Sequence, residues 1–219
     1  TATVGDAHPI AVETQIILGG IQTVLRLETR DMLATCVYAF MTPRGGFFHV
    51  RGDGAIAIVY NDGRIHLRGF EWNDNRPFYP IYAREHLGAF IANHGGDVRQ
   101  VALKENIWNY NGSDGWIEAD SRLHTIADGI RGIAIPTALD DVAYSAVFSD
   151  GVMRVDGMDW KNVVRELVAF KTAAGAFAKR RMSRFINDAQ KIGRGPLDDI
   201  AYAVIQVNRD NSNENPGGS

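Results

Sequence analysis

Phe47-Phe-His-Val-Arg-Gly-Asp-Gly-Ala-Ile-Ala-Ile-Val-Tyr-Asn-Asp-Gly-Arg-Ile-His-Leu-Arg-Gly-Phe70 carries the densest strand and turn signals in the chain. Phe47 to Val50 reads as a strand, and Gly52-Asp-Gly54 interrupts it. Ala55 to Tyr60 is a further apolar strand. Asn61-Asp-Gly63 is a hairpin turn, because Asp-Gly readily takes the positive φ angles of a type I′ turn. Arg64 to Phe70 returns antiparallel. Upstream, residues 32–40 form a nearly continuous apolar run, the pattern of a strand covered on both faces. These four strands make an antiparallel meander.

Working outward, residues 9–27 read as a helix. Pro9 suits a first helical position, and Ile10, Ile17, Ile21, Val24 and Leu25 recur at helical spacing. Residues 71–143 have mixed signals. Ile81 to Asn93 suits a short helix, and Val98 to Ala119 has strand-like pieces around Trp108 and Trp116. This segment is expected to be a divergent lobe or insertion within one domain spanning residues 1–207. Val142 to Phe148 is an apolar strand. Asp159 to Lys191 is one or two helices, with Asp159 as the cap. Ile200 to Val207 is a last strand, expected in the core. The tail 208–219 is polar and rich in turn residues, the composition of a disordered segment. Antiparallel strands with helices at both ends predict an α+β layered fold.

The chain has 219 residues, 45% of them hydrophobic, and a formal charge of −3. That suffices for one core, and nothing in the overall charge argues for a nucleic-acid partner. One cysteine, Cys36, excludes an internal disulfide and a thiolate zinc cluster. No apolar run is long enough for a bilayer, and no signal segment opens the chain. A cytoplasmic setting is the expectation. The chain opens at Thr1 without an initiator Met, as a fragment or a processed product would.

Acidic residues stand where strands stop. Asp6 precedes the first helix, Asp53 sits between two glycines, Asp150 follows Val142 to Phe148, and Asp198-Asp199 precede the last strand. Carboxylates that converge repel one another unless a cation neutralises them. Oxygen-only sets suit Mg²⁺, Mn²⁺ or Ca²⁺. For Asp53 or Asp6 alone a solvated turn is the stronger expectation. Asp150 and the Asp198-Asp199 pair are the sharper candidates, being placed beside apolar strands.

Phe148-Ser-Asp-Gly-Val152 resembles the Ser-Asp-Gly segment of metal-dependent type 2C serine/threonine protein phosphatases. Leu197-Asp-Asp-Ile-Ala-Tyr-Ala-Val-Ile205 is similar to their closing strand motif. Val50-Arg-Gly-Asp-Gly-Ala-Ile-Ala57 resembles a central-strand segment, and Val4-Gly-Asp-Ala-His-Pro9 a degraded form of their Asp-Gly-His-Gly segment. The four likenesses follow the family's order and leave 71–143 poorly matched. The resemblance implies an α-β-β-α sandwich of two mostly antiparallel sheets, with the N-terminal strand missing. It implies a bacterial-type hydrolase for phosphoserine and phosphothreonine in a protein substrate. Two Mn²⁺ or Mg²⁺ ions would activate a water for in-line attack on phosphorus. Asp150 and Asp198 would ligate one ion, and Asp6 would bridge both. The backbone carbonyl of Ala7 would stand where the family uses a glycine carbonyl. Asp53 would lie outside the first ligands or near a third ion, and Asp199 would support. The missing strand and Ala7 keep an alternative open, a phosphatase-like binding or regulatory module without catalysis.

Other constellations are weaker. Thr1 as an N-terminal nucleophile lacks an early lysine, since the first is Lys104. The six histidines show no helical metal spacing. Lys179-Arg-Arg181 with Arg184 reads as a solvated basic face, with attraction of an acidic or phosphorylated partner as the other reading.

Overall fold

The computed structural model describes residues 7–207, without the side chains of 7–13, 15, 84 and 85. The chain begins with α1 (Ala7–Leu25) and continues through β1 (Cys36–Thr42), β2 (Gly45–Arg51), β3 (Gly54–Tyr60) and β4 (Ile65–Trp72). Next come α2 (Tyr82–Glu85), α3 (Leu87–Asn93), β5 (Val101–Tyr110), β6 (Trp116–Thr125), α4 (Ile126–Arg131) and β7 (Ile133–Thr137). It ends with β8 (Val142–Phe148), α5 (Trp160–Val168), α6 (Phe177–Lys191) and β9 (Tyr202–Gln206). The strands form an antiparallel three-stranded sheet, β1-β2-β7, and an antiparallel six-stranded sheet, β6-β5-β4-β3-β8-β9.

β3 shows how one sequence serves two layers. Its side chains alternate faces, as strand geometry requires. Ile56 and Ile58 join Phe48 and Val50 of β2, Ile135 of β7 and Val147 of β8 in a core between the sheets. Ala55, Ala57 and Val59 face the other way, against Val163, Val164 and Leu167 of α5 and Phe185 of α6. Both faces are apolar, so β3 is buried throughout except for Tyr60. The β4–β5 part of the inner face has a different cover. Phe70, Trp72 and Leu103 belong to one cluster with Phe78, Phe90 and Ile126, contributed by the 73–93 segment and α4. The Trp72 ring meets Phe90 edge-on at 5.4 Å. Gly129 of α4 lies so close to the Trp72 indole that a Cβ there would collide with it.

The α+β sandwich of two mostly antiparallel sheets is as expected, but the structure corrects the reading in six places. The four-strand meander is split. β1 and β2 lie in the small sheet and β3 and β4 in the large one, so Gly52-Asp53-Gly54 is the corner between sheets. Gly52 and Gly54 have φ of 107° and 138°, a region that favours glycine. The turn after β3 is not type I′. Only Gly63 has positive φ, at 86°. Tyr60 N–H donates to Arg64 O at 2.9 Å and Gly63 N–H to Tyr60 O at 3.0 Å, which makes a three-residue loop with a glycine bulge.

The remaining corrections concern cover. Residues 71–143 supply β5, β6 and β7, so their strands belong to both sheets and do not stand apart as a lobe. β1 is an edge strand and only half covered, with Phe40 largely exposed. β9 is likewise an edge strand, which is why Asp198 and Asp199 before it reach solvent. The stripe of α1 does not bury as a unit, since Ile16, Ile17, Ile21, Val24 and Leu25 are exposed. Among the described residues no helix is long and apolar enough to cross a membrane. Asp6 and the tail 208–219 lie outside the described residues.

Candidate functional site

Two glycines bring three acidic segments together. A Cβ on Gly54 would come within 2.5 Å of the Phe148 carbonyl, so the 52–54 corner can press on the end of β8. A Cβ on Gly151 would run into the Asp199 carbonyl, so the turn at Asp150–Met153 can press on the approach to β9. Ser149 locks the second contact. Its Oγ donates to Asp199 O at 3.2 Å and accepts from Ala201 N–H at 2.9 Å, while its N–H donates to Ala201 O at 2.9 Å. Leu197 N–H donates to Arg154 O at 2.8 Å, extending the same seam.

Asp53 is the buried member. It is 5% exposed, and its Oδ1 has no hydrogen-bond partner. Burial pushes its carboxyl up to about 7, and the nearby Asp150 charge pushes in the same direction. Its own backbone N–H and Arg154 oppose the rise, and Glu71 adds to it. A carboxylate buried near a second one needs a proton or a cation. Tyr79 lies near the same corner. Its phenol is pushed up to about 12, first by burial and then by the charges of Asp53 and Asp150.

The other expected ligands are placed differently. Asp150 is half-buried in the 3-10 turn after Ser149. Asp198 is exposed. Its Oδ1 accepts from Asp199 N–H at 2.8 Å, and its Oδ2 lies 3.8 Å from Arg154. Asp199 contributes its backbone carbonyl to Ser149, and its side chain is in solvent. Ala7 is the first residue of α1. Among the described residues no group of three or more His, Cys, Asp or Glu side chains is close enough to hold a metal ion. The proposed trio of Asp6, Asp150 and Asp198 therefore rests on Asp6, which lies outside the described residues.

Three participants were not singled out in the sequence: Glu71, Tyr79 and Arg154. Arg154 is the most connected. Besides Asp198 it reaches Asn75, donating to Oδ1 at 2.5 Å. Asp74 and Asn75 both sit in the left-handed region, at φ of 56° and 53°, which Asn and Asp tolerate best among residues with a Cβ. Arg154 follows Asp150 by four positions, a weak signal by itself. Only the contact across 79 residues gives it meaning.

The remaining chemistry-bearing groups lie elsewhere. Glu105, 1% exposed, pairs with Arg68 at 2.8 Å and His124 at 2.9 Å on the inner face of β4–β6. His66 joins this network through Asn109 at 2.9 Å and Arg68 at 3.1 Å, so it serves the sheet. The basic residues of α6 are partly committed at home. Arg181 pairs with Glu166, Arg180 donates to Ala174 O, and Lys191 pairs with Asp188. No family model, curated protein or solved structure matches this chain.

Proposed function

We propose that this chain is a metal-dependent phosphoprotein phosphatase of the type 2C-like, bacterial kind, acting in a cytoplasmic setting. The observation that carries the reading is the buried Asp53 carboxyl, one oxygen unpartnered, close enough to Asp150 to feel its charge where the 52–54, 149–151 and 198–199 segments meet. That arrangement fits a hard cation, because such ions take carboxylate oxygen and repay its desolvation. Asp150 and Asp198 would hold one Mn²⁺ or Mg²⁺ ion. Asp6 and the Ala7 carbonyl would join it to a second, with Asp53 and Asp199 in support. When bound, the ions acidify a water and draw charge from the phosphoryl oxygens. Arg154 offers its guanidinium to those oxygens on the open side, and release from Asp198 would free it to do so. The apolar residues around Asp53 keep bulk water from its carboxyl.

A second reading has its own support. Arg154 lies 3.8 Å from Asp198, and the described residues hold no set of three metal-ligating groups. That arrangement suits a phosphatase-like module that binds phosphorylated protein without hydrolysing it. Hydrolysis of p-nitrophenyl phosphate with Mn²⁺ separates the two. The enzyme reading expects turnover that Asp150→Ala lowers by at least the roughly 10–100-fold that follows loss of a group supporting a metal ligand. Turnover equal in both proteins would end it. Heating with and without Mn²⁺ tests the site directly, because an ion that binds only the folded chain raises the midpoint.

A further inference from the structure

Beside the carboxylate corner lies a cleft of about 380 Å³, within the usual range of roughly 300–1,000 Å³ for ligand pockets. Its walls are rings. Tyr79 and Tyr82 meet edge-on at 5.5 Å, Tyr82 and Phe90 lie 5.9 Å apart, and Phe90 and His94 are tilted at 4.3 Å. His86 closes one side, 6.3 Å from Tyr82.

These walls are fixed from behind. His86 Nε2 is 3.2 Å from Thr29 Oγ1. The His94 ring nitrogens sit 2.9 Å from Phe90 O and 3.1 Å from Arg76 O. Phe90 is buried against Trp72 and Phe78. A pocket whose rings are already held in place gives little ordering cost to what enters it.

Two residues join the cleft to the acidic corner. Asn75 lines the cleft and accepts from Arg154, which lies beside Asp198. Tyr79 lines the cleft and stands near enough to Asp53 and Asp150 to feel their charges. A chain segment with one residue at the corner would therefore pass its neighbour into the cleft.

We propose that the cleft between Tyr79, Tyr82, His86, Phe90 and His94 is a recognition subsite for an aromatic side chain flanking the phosphorylated residue of a protein substrate. This rests on the phosphatase-like reading for the identity of the neighbouring group. Aromatic walls favour an aromatic guest through offset and edge-to-face contacts, which an aliphatic side chain cannot make. Phenylalanine, tyrosine and tryptophan are the class of guest.

The test uses the full chain and labelled phosphoserine peptides identical except for Phe or Ala at each position from one to three residues either side of the phosphoserine. Binding is read by fluorescence anisotropy. At one position at least, Phe is expected to tighten binding about tenfold over Ala. Ala89 is exposed at the cleft, so Ala89→Trp can fill it without entering the core. That variant should erase the preference, and His86→Ala should weaken it. Equal binding of all peptides, or a preference that survives Ala89→Trp, overturns the subsite. Release of p-nitrophenol by the same proteins reports separately on hydrolysis, so a chain without turnover that keeps the Phe preference retains the subsite and loses only the enzyme reading.

Discussion

Asp53 concentrates the energetics of the site in one carboxyl. Folded, it keeps its proton up to about pH 7, whereas its ordinary value is 3.8. Between those values the folded chain binds more protons than the unfolded chain, so stability falls as pH rises, and the full cost is present above about pH 7. Asp53→Asn keeps the shape and removes the charge. In chelator it is expected to stabilise the protein by about 4 kcal/mol at pH 8 and by only about 1 kcal/mol at pH 4.5. Urea midpoints of both proteins at the two pH values check this. A gain of equal size at both would assign the cost to shape and not to ionisation. The same residue marks a limit of sequence reading. Asp-Gly is so common in turns that Asp53 ranked below Asp150, yet Asp53 is the one shut away from water. Its burial comes from Phe148 and Trp72 approaching the corner. Trp72 donates to Gly52 O at 2.9 Å from 20 positions away, and no local pattern records that.

At the scale of elements, α5 separates the contributions of capping and burial. Asp159 accepts from Lys161 N–H at 2.9 Å, and the helix buries Val163, Val164, Leu167 and Val168 on the outer face of the large sheet. Leu167→Ala empties a fully buried position and is expected to cost about 2–5 kcal/mol. Asp159→Ala removes an exposed cap and is expected to cost about 0.5–2 kcal/mol. Thermal or urea unfolding of the two variants checks the order. If the cap loss matched the core loss, α5 would owe its place to its own end and not to the sheet. Leu167 was not singled out in the sequence, because only its packing on the large sheet distinguishes it, whereas Asp159 was legible, a capping aspartate being a local signal. β8, Val142–Phe148, was legible for the same reason. The split of the meander was not. A glycine–aspartate–glycine corner between sheets reads like any turn, since what distinguishes it is which strands pair afterwards. β5 and β6 were blurred because polar residues such as Glu105 and Asn109 sit on the face where an apolar alternation would otherwise show.

For the whole molecule, the large sheet is the unit that everything else leans on. β3 and β8 are paired on both sides and covered on both faces, one by the small sheet and the other by α5 and α6. The sheet ends in β6, with Ile117 and Leu123 exposed, and in β9, only half covered. Opening an edge strand breaks one ladder, whereas opening β3 breaks two ladders and both cores. Amide exchange should therefore follow that order, because local openings expose poorly buried hydrogen bonds well before the global transition. Amides of β3 and β8 are expected to exchange only through global unfolding, and those of β6 and β9 faster by orders of magnitude. Hydrogen–deuterium exchange read by mass spectrometry or NMR measures this strand by strand. Saturating Mn²⁺ adds a second arm under the functional reading. Asp150 and Asp198 lie at the end of β8 and the start of β9, so an ion held there ties the edge strand to the central one. Protection is then expected to rise at β9 and to stay unchanged at β6, the opposite edge. A uniform rise over both edges would mean that the ion acts on global stability without joining these two strands, and no rise at β9 would remove Asp198 from the ligand set.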